Sequence, residues 1–425
     1  MDSLLVRGGT PLKGTINISG SKNASLPILA AALLTDETVT IKRVPDVSDT
    51  NYMIQILSAL GAEVERWSGT VRIKCANISP DAPYELVRRM RASICVMGPL
   101  LARLNRATVS LPGGCVIGDR PVDLHLKGLS ALGADCHVEG GNMDLKGPSG
   151  GLIGKEVDLR GKYGPTVLGT DNVMMAACLA KGTTIIESAA CEPEVIDLAN
   201  FLISMGARIE GAGTRRITIE GVEKLRGTEH TVIPDRVEAA TFMAAGASFS
   251  EGITLNRVCE QDLEAASKVL LDCGHQIEFS NQGETVFVKP GEKPTGAQIT
   301  TAPYPGFPTD MQAQFTALFA TTPGLSIIED VVFPQRFMHC AELSRMGADI
   351  KVDNGTAVVQ GVKQLSAAPV MASDLRASAA LVLAGLQARG ETRISRLYHI
   401  DRGYEHIDEK LLLLGAQVER VRDNA

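Results

Sequence analysis

Hydrophobic positions along the chain fall into two rhythms that alternate from one end to the other. Alanine-rich runs such as "NASLPILAAALL" (23–34), "ASICVMGPLLARL" (92–104), "NVMMAACLA" (172–180), "VEAATFMAAGAS" (237–248), "MQAQFTALFA" (311–320) and "RASAALVLAGLQA" (376–388) are apolar on nearly every side. Small residues mixed with large apolar ones predict helices buried by close neighbours. Each run is followed by a β-rich stretch: "TVTIKR", "ATVSLP", "TTIIES", "GITLNR", "LSIIED" and "ETRISR". A more amphipathic helix comes next, as in "DTNYMIQILSALG", and it ends on a glycine that predicts a left-handed helix stop. An alternating strand such as "AEVER" then closes the unit.

This unit recurs six times. "LGAEVER" (60–66) returns as "LGADCHVE", "MGARIEG", "CGHQIEF", "MGADIKV" and "LGAQVER", with glycines at 61, 133, 206, 274, 347 and 415, spaced by 72, 73, 68, 73 and 68 residues. A repeat of this length implies a recurring supersecondary unit. Two helices and several strands per unit predict an α/β protein with helices packed on mixed sheets. Three units each make two similar domains, with a seam near 230–235 in "HTVIPDR". A six-fold array can also serve only as a scaffold for a partner, so chemistry has to be sought where the repeats depart from their own pattern.

The first departure is "LPGGCVIGDR" (111–120). From mid-strand to the repeat glycine the units run 20, 23, 21, 20, 20 and 21 residues, and the surplus of the second falls at "PGGCVIG". A lengthened glycine-rich loop carries an ordering cost and often a function, which singles out Cys115. Neither this loop nor "GSKN" (20–23) has the spacing of a nucleotide-phosphate fingerprint.

The second departure lies at the starts of the buried helices, where Lys22 with Asn23, Arg91, Asp235 with Arg236, Asp310, and Asp374 with Arg376 stand at equivalent positions. Asp235 and Asp374 read as N-caps. Lys or Arg at that end opposes the helix dipole, so Lys22, Arg91, Arg236 and Arg376 read as recruited for something negative. Arg120 and Arg402 lie in the other class of loop.

Composition narrows the classes. The chain is 44% hydrophobic and 21% charged, with a net charge of −7 and no run of Lys or Arg, which argues against nucleic acid. Its longest apolar stretches are about half a membrane span, and "MDSLLVRGG" reads as strand, not as a leader. Nine cysteines form no C-x-x-C pair and no Cys/His cluster, which predicts a reduced, cytoplasmic protein without structural zinc. His125, His399 and His406 lack ligand spacing.

"SGSKNASLPILAAALL", "MRASICVMGPL", "LPGGCVIGDRPVDLHL", "FPTDMQAQ", "FPQRFMHCAELSRMGA", "DLRASAALVLAG" and "YHIDRGYE" resemble the UDP-N-acetylglucosamine 1-carboxyvinyltransferases over essentially the whole chain. These enolpyruvyl transferases catalyse the first committed step of peptidoglycan synthesis. The resemblance implies a two-domain inside-out α/β barrel built from six repeated units. One domain would span 22–233, and 1–21 plus 234–425 would form the other, the N-terminal strand completing its sixth unit and the domains closing over substrate.

By the same resemblance Lys22, Arg120 and Arg402 hold phosphoenolpyruvate, and Lys22 with Asn23 marks its binding motif. Cys115, on a flexible lid, is the acid that protonates the methylene carbon and the thiol that fosfomycin alkylates. Asp310 stands at the sugar hydroxyl as base or orienter. Arg91, Arg120, Pro121, Val122, Asp123, Leu124, Asp310 and the backbone at Val332 contact the UDP-sugar, with Lys162, Tyr163, Gly164 and Pro165 near the nucleotide. Arg336, Asp374 and Arg376 act as interdomain or active-site supports. No metal or organic cofactor, nucleic acid, membrane or obligate protein partner is implied.

Two stretches depart from the family: "DLRGKYGPTVLGTDN" (158–172) looks longer, and Cys191 stands where an arginine is common. They leave room for a paralogue with altered nucleotide-sugar handling, or for a non-catalytic UDP-sugar binder. The set Lys22, Cys115, Asp310 and Arg402 argues against the latter. The related transferase of shikimate 3-phosphate lacks the pattern "PGGCVIGDRPVD", and the histidine and nucleotide site of an RNA 3′-phosphate cyclase cannot be located in the sequence.

Overall fold

The computed structural model describes residues 2–111, 122–162 and 164–422. It divides into two compact units, one of residues 2–19 with 234–422 and one of residues 20–111 with 122–233.

Each repeat builds one small sheet of the same plan. In the first, Thr38–Lys42 runs antiparallel to Thr70–Lys74, which runs antiparallel to Glu63–Trp67, while Glu229–Thr231 joins Thr38–Lys42 in parallel. The third, fourth and fifth repeats reproduce this order of three antiparallel strands and one parallel edge. The second has three strands, with a parallel bridge Asp81–Thr108 in place of the fourth. A separate hairpin pairs Arg160–Gly161 with Gly164–Pro165. Inward residues alternate with outward ones, Val71 and Ile73 being buried and Arg72 and Lys74 exposed. These sheets remain separate.

The N-terminal residues serve two sheets, not the sixth alone. Asp2–Arg7 lies between Glu391–Ser395 and Gln417–Arg422, antiparallel to both. Leu12–Asn17 pairs instead with Ser250–Asn256, in the sheet of the fourth repeat. The chain changes direction at Gly8 and Gly9, where φ of +96° at Gly9 suits glycine.

All six repeat glycines adopt left-handed backbone, with φ between 80° and 104°. The hydrogen bonds around them explain why. At the first, Ala62 N–H donates to Leu57 O at 3.0 Å and Gly61 N–H to Ser58 O at 3.0 Å; at the last, Ala416 N–H reaches Leu411 O at 2.9 Å and Gly415 N–H reaches Leu412 O at 2.9 Å. This is the Schellman stop, which satisfies carbonyls that a helix end otherwise leaves open.

The alanine-rich helices lie inside and the sheets outside. In one unit Arg236–Ser248, Thr309–Phe319 and Leu375–Gln387 pack on one another; in the other Met97–Leu104 packs on Val167–Ala177. At the latter crossing Gly98 N–H donates to Asn172 Oδ1 at 2.8 Å, and a Cβ at Gly98 would stand 2.3 Å from the Asn172 carbonyl oxygen. Two helix boundaries differ from the sequence reading. The run 92–104 splits into a 3₁₀ turn (Arg91–Val96) and an α-helix (Met97–Leu104), because Pro99 has no N–H to donate to the Cys95 carbonyl and Asn172 takes both the Gly98 N–H and the Ile94 carbonyl. The helix expected from 172 begins at Val167, capped by Thr166, whose Oγ1 accepts from Gly169 N–H at 3.2 Å. Among the described residues, no helix is long and apolar enough to cross a membrane.

Candidate active site

Asp310 occupies the first turn of Thr309–Phe319. Arg336 Nη1 donates to its Oδ1 at 2.6 Å, and Arg376 Nη2 to its Oδ2 at 3.0 Å. The arginine side chains are 6% and 2% exposed and the carboxylate 27%, so the carboxylate is the solvent-facing member. Burial opposes the charge of Arg376, yet Asp310 and Tyr404 raise its pKa above the ordinary arginine value. Arg376 also lies over the Tyr404 ring at 5.4 Å, and the Tyr404 hydroxyl is 2.8 Å from Thr241 Oγ1 and accepts from Gln314 Nε2 at 3.1 Å.

Asp374 and Asp235 are N-caps, as their positions predict. Asp374 Oδ1 accepts from the Arg376 and Ala377 N–H groups at 2.9 and 3.1 Å, and Asp235 Oδ1 from Val237 and Glu238 at 2.9 Å each. Arg236 lies 5.4 Å from the Tyr304 ring centroid. Val332 belongs to a loop gathered around Asp330, whose Oδ1 accepts the N–H groups of Val332 (3.0 Å) and Phe333 (2.7 Å). With its N–H so engaged, Val332 has its carbonyl to offer a ligand. Arg402 ends the 3₁₀ turn Leu397–Arg402.

In the other unit Lys22 begins the helix Lys22–Ala31, and its Nζ lies 3.3 Å from Oδ2 of the buried Asp49. Asn23 follows in the same turn. Arg91 opens the 3₁₀ turn before Met97–Leu104. Val122 precedes, and Asp123 and Leu124 begin, the helix Asp123–Ala131; a Cβ at Gly161 would stand 3.0 Å from Leu124 Cδ1, so the hairpin 160–165 lies close to that helix start. Lys162 is exposed in the turn of this hairpin, Gly164 has φ of +111°, and Pro165 leads into the cap Thr166. The N–H groups of a helix start favour anions. The helix start at Thr166 lies just beyond the stretch Lys162–Pro165 expected near the nucleotide, and its trace in the sequence is Pro-Thr before an apolar run.

His125 is not a free ligand: Asn172 Nδ2 lies 3.0 Å from its Nδ1, and burial with the nearby Arg91 charge lowers its pKa to about 3. Among the described residues no three His, Cys, Asp or Glu side chains are grouped to hold a metal ion. The structure thus brings Asp310, Arg336 and Arg376 together in one unit, with Asp374 capping the same helix as Arg376, and Lys22 with Asp49 in the other. Cys115, Arg120, Pro121 and Tyr163 lie outside the described residues.

Residues 6–411 match the family model of EPSP synthase (3-phosphoshikimate 1-carboxyvinyltransferase), and the chain belongs to this enolpyruvyl transferase family. Within it the chain is 66% identical over 424 residues, covering 100% of both chains, to a UDP-N-acetylglucosamine 1-carboxyvinyltransferase of Akkermansia muciniphila. A protein of the same name from Methylacidiphilum infernorum is 56% identical, with 99% of each chain covered. Among solved structures, the enolpyruvyl transferase NikO from Streptomyces tendae superposes with a TM-score of 0.89 at 25% identity, covering 99% of each chain. An EPSP synthase of Acinetobacter baumannii shares the fold, at a TM-score of 0.75, 18% identity, and coverage of 99% of this chain and 100% of that one.

Proposed function

We infer that this protein transfers the enolpyruvyl group of phosphoenolpyruvate to the 3′-hydroxyl of UDP-N-acetylglucosamine and releases phosphate, the first committed step of peptidoglycan synthesis. Full-length identity of 66% to a transferase of that name carries the reading. The reduced cysteine pattern supports a cytoplasmic setting.

The residues divide the chemistry as follows. Lys22, Arg120 and Arg402 bind the phosphate and carboxylate of phosphoenolpyruvate, since clustered cations suit a ligand with several negative charges. Asn23 supports the same ligand. Arg91, Arg120, Pro121, Val122, Asp123 and Leu124, with the stretch Lys162–Pro165 and the Val332 carbonyl, bind the UDP-sugar. Asp310 accepts the hydrogen bond of the 3′-hydroxyl. Its two oxygens already receive one guanidinium each, which favours holding and orienting that hydroxyl over acting as a strong base. The sugar oxygen then bonds to C2 of phosphoenolpyruvate, its own proton passing by way of Asp310 to the phosphate group, while the Cys115 thiol gives its proton to C3 and is left as thiolate. The Cys115 thiolate then takes a proton back from C3 as the C2–O bond to the phosphate breaks, which restores the double bond and releases phosphate with the former hydroxyl proton. Arg336 and Arg376 fix Asp310, and Asp374 fixes the helix start that carries Arg376.

Product analysis tests this reading. Incubation with both substrates should give a UDP-sugar bearing a vinyl ether at the 3′-oxygen, visible as two methylene protons by NMR. A UDP-sugar recovered unchanged from such a reaction contradicts it.

A further inference from the structure

The strand after each repeat glycine carries a position that separates the first and last repeats from the other four. The fifth residue after the glycine is Arg66, Val138, Gly211, Phe279, Val352 and Arg420 in turn. Both arginines reach back to the loop that opens the amphipathic helix of their own repeat. Arg66 Nη2 donates to the Pro45 carbonyl at 3.0 Å and lies 3.4 Å from Asp46 Oδ1, while Nη1 donates to Asn51 Oδ1. Arg420 donates through Nη1 and Nη2 to the two Asp401 oxygens at 2.9 Å each, and through Nε and Nη2 to the Asp408 oxygens at 3.3 Å each.

These two loops adjoin the cations assigned to phosphoenolpyruvate. Asp49, the partner of Lys22, lies between Asp46 and Asn51 in the chain, and Arg402 directly follows Asp401. The second loop needs outside support, because it is bracketed by Arg396 and His406 in left-handed backbone, with φ of 62° and 45°. A planar guanidinium that forks between two carboxylates fixes geometry, which a flexible ammonium does not.

We propose that Arg66 and Arg420 are positioning residues for phosphoenolpyruvate, the same repeat position being used once in each unit to fix the loop behind a ligand-binding cation. The proposal rests on the binding roles given above to Lys22 and Arg402. The other four repeats carry no arginine at this position; the second is one of them, although Arg120 belongs to the loop before its amphipathic helix, so the device is confined to the loops beside Lys22 and Arg402.

The test compares steady-state kinetics of Arg66→Ala, Arg420→Ala and their Lys variants with Arg208→Ala, which breaks only the exposed pair with Glu220. Both Ala variants should raise the phosphoenolpyruvate KM roughly tenfold while moving the UDP-sugar KM less than about twofold; tenfold corresponds to about 1.4 kcal/mol. Lys should restore part of the loss. Adding Arg420→Ala to Arg402→Ala should change the phosphoenolpyruvate KM no further. Hydrogen exchange in 397–406 should quicken in Arg420→Ala and stay as wild type in Arg208→Ala. If a folded Arg66→Ala or Arg420→Ala keeps the wild-type phosphoenolpyruvate KM while Arg402→Ala and Lys22→Ala lose theirs, the proposal is overturned. If Arg402→Ala and Lys22→Ala also keep it, the assignment of the cations themselves is wrong. Should an Ala variant not fold, its Lys variant is judged by the same ratio of KM values.

Discussion

Arg376 Nη2 stands 3.0 Å from Asp310 Oδ2, and of the two side chains the arginine is the buried one and the carboxylate the one that meets solvent. A long, always-charged side chain is thereby held inside the helix cluster with its head against an acid. Removing the arginine leaves the carboxylate facing solvent and still paired with Arg336, so the loss is that of one charge-assisted hydrogen bond, about 1.5 to 3 kcal/mol.

Arg376→Met should therefore lower the unfolding free energy by about 2 kcal/mol, with an unchanged denaturant slope. It should also reduce turnover, because Asp310 loses one of the two groups that orient it. A variant with wild-type urea midpoint and wild-type kcat would show that Arg336 alone suffices.

The repeat glycines separate backbone strain from steric clash. Gly61 and Gly206 share φ of +104°, but a Cβ at Gly61 would stand 2.5 Å from the Asn77 carbonyl oxygen, whereas nothing lies within 4 Å at Gly206. Gly206→Ala should cost about 1 to 2 kcal/mol for the left-handed backbone alone. Gly61→Ala should cost more, and urea melts of the two give the difference. Equal losses would mean that the Asn77 loop yields without cost.

His125 should make the fold acid-sensitive in a definite window. Its pKa drops from 6.5 to about 3 on folding, so the unfolded chain binds a proton that the native one refuses. The stabilisation is complete above pH 6.5 and is lost progressively as pH falls toward 3, at up to about 1.4 kcal/mol per unit. His125→Gln keeps an acceptor for Asn172 and removes the titration. Between pH 7.5 and 5.5 wild type should lose about 1.4 kcal/mol more than this variant. Parallel pH profiles would place His125 outside the acid response.

The repeats, their glycine stops and the buried helices were legible because each is a local pattern: 3.6-residue apolar spacing, then glycine, then alternation. The aspartate caps were legible for the same reason. Convergence was not. Arg336 and Arg376 lie 26 and 66 residues from Asp310, and no local spacing announces that both end on its carboxylate. Arg236 and Arg376 did read correctly as basic groups at awkward helix ends, but Arg376 serves an acid of this chain and Arg236 faces an aromatic ring. The split of the N-terminal strands between two sheets escaped notice because strand pairing across hundreds of residues leaves no short-range trace.

Cys115 carries the proposed proton donation, and the position needs a protonatable group more than it needs sulfur. Cys115→Ala should lose about 10²- to 10⁴-fold in rate. Cys115→Asp should retain substantial turnover, since a carboxyl in a partly desolvated site has a raised pKa. The Asp variant should also escape alkylation by fosfomycin, a carboxylate being the poorer nucleophile beside a thiolate. A wild-type rate in the Ala variant, or label on another of the nine cysteines, would remove Cys115 from the mechanism.

The choice of acceptor tests the account most directly, because the family is described by a transferase of shikimate 3-phosphate while the 66% identical relative bears the name of a UDP-sugar transferase. Phosphate release should be measured with phosphoenolpyruvate alone, with UDP-N-acetylglucosamine added, and with shikimate 3-phosphate added. Release that appears only with the UDP-sugar is the predicted result. Release with shikimate 3-phosphate and none with the UDP-sugar would contradict the function inferred for this chain.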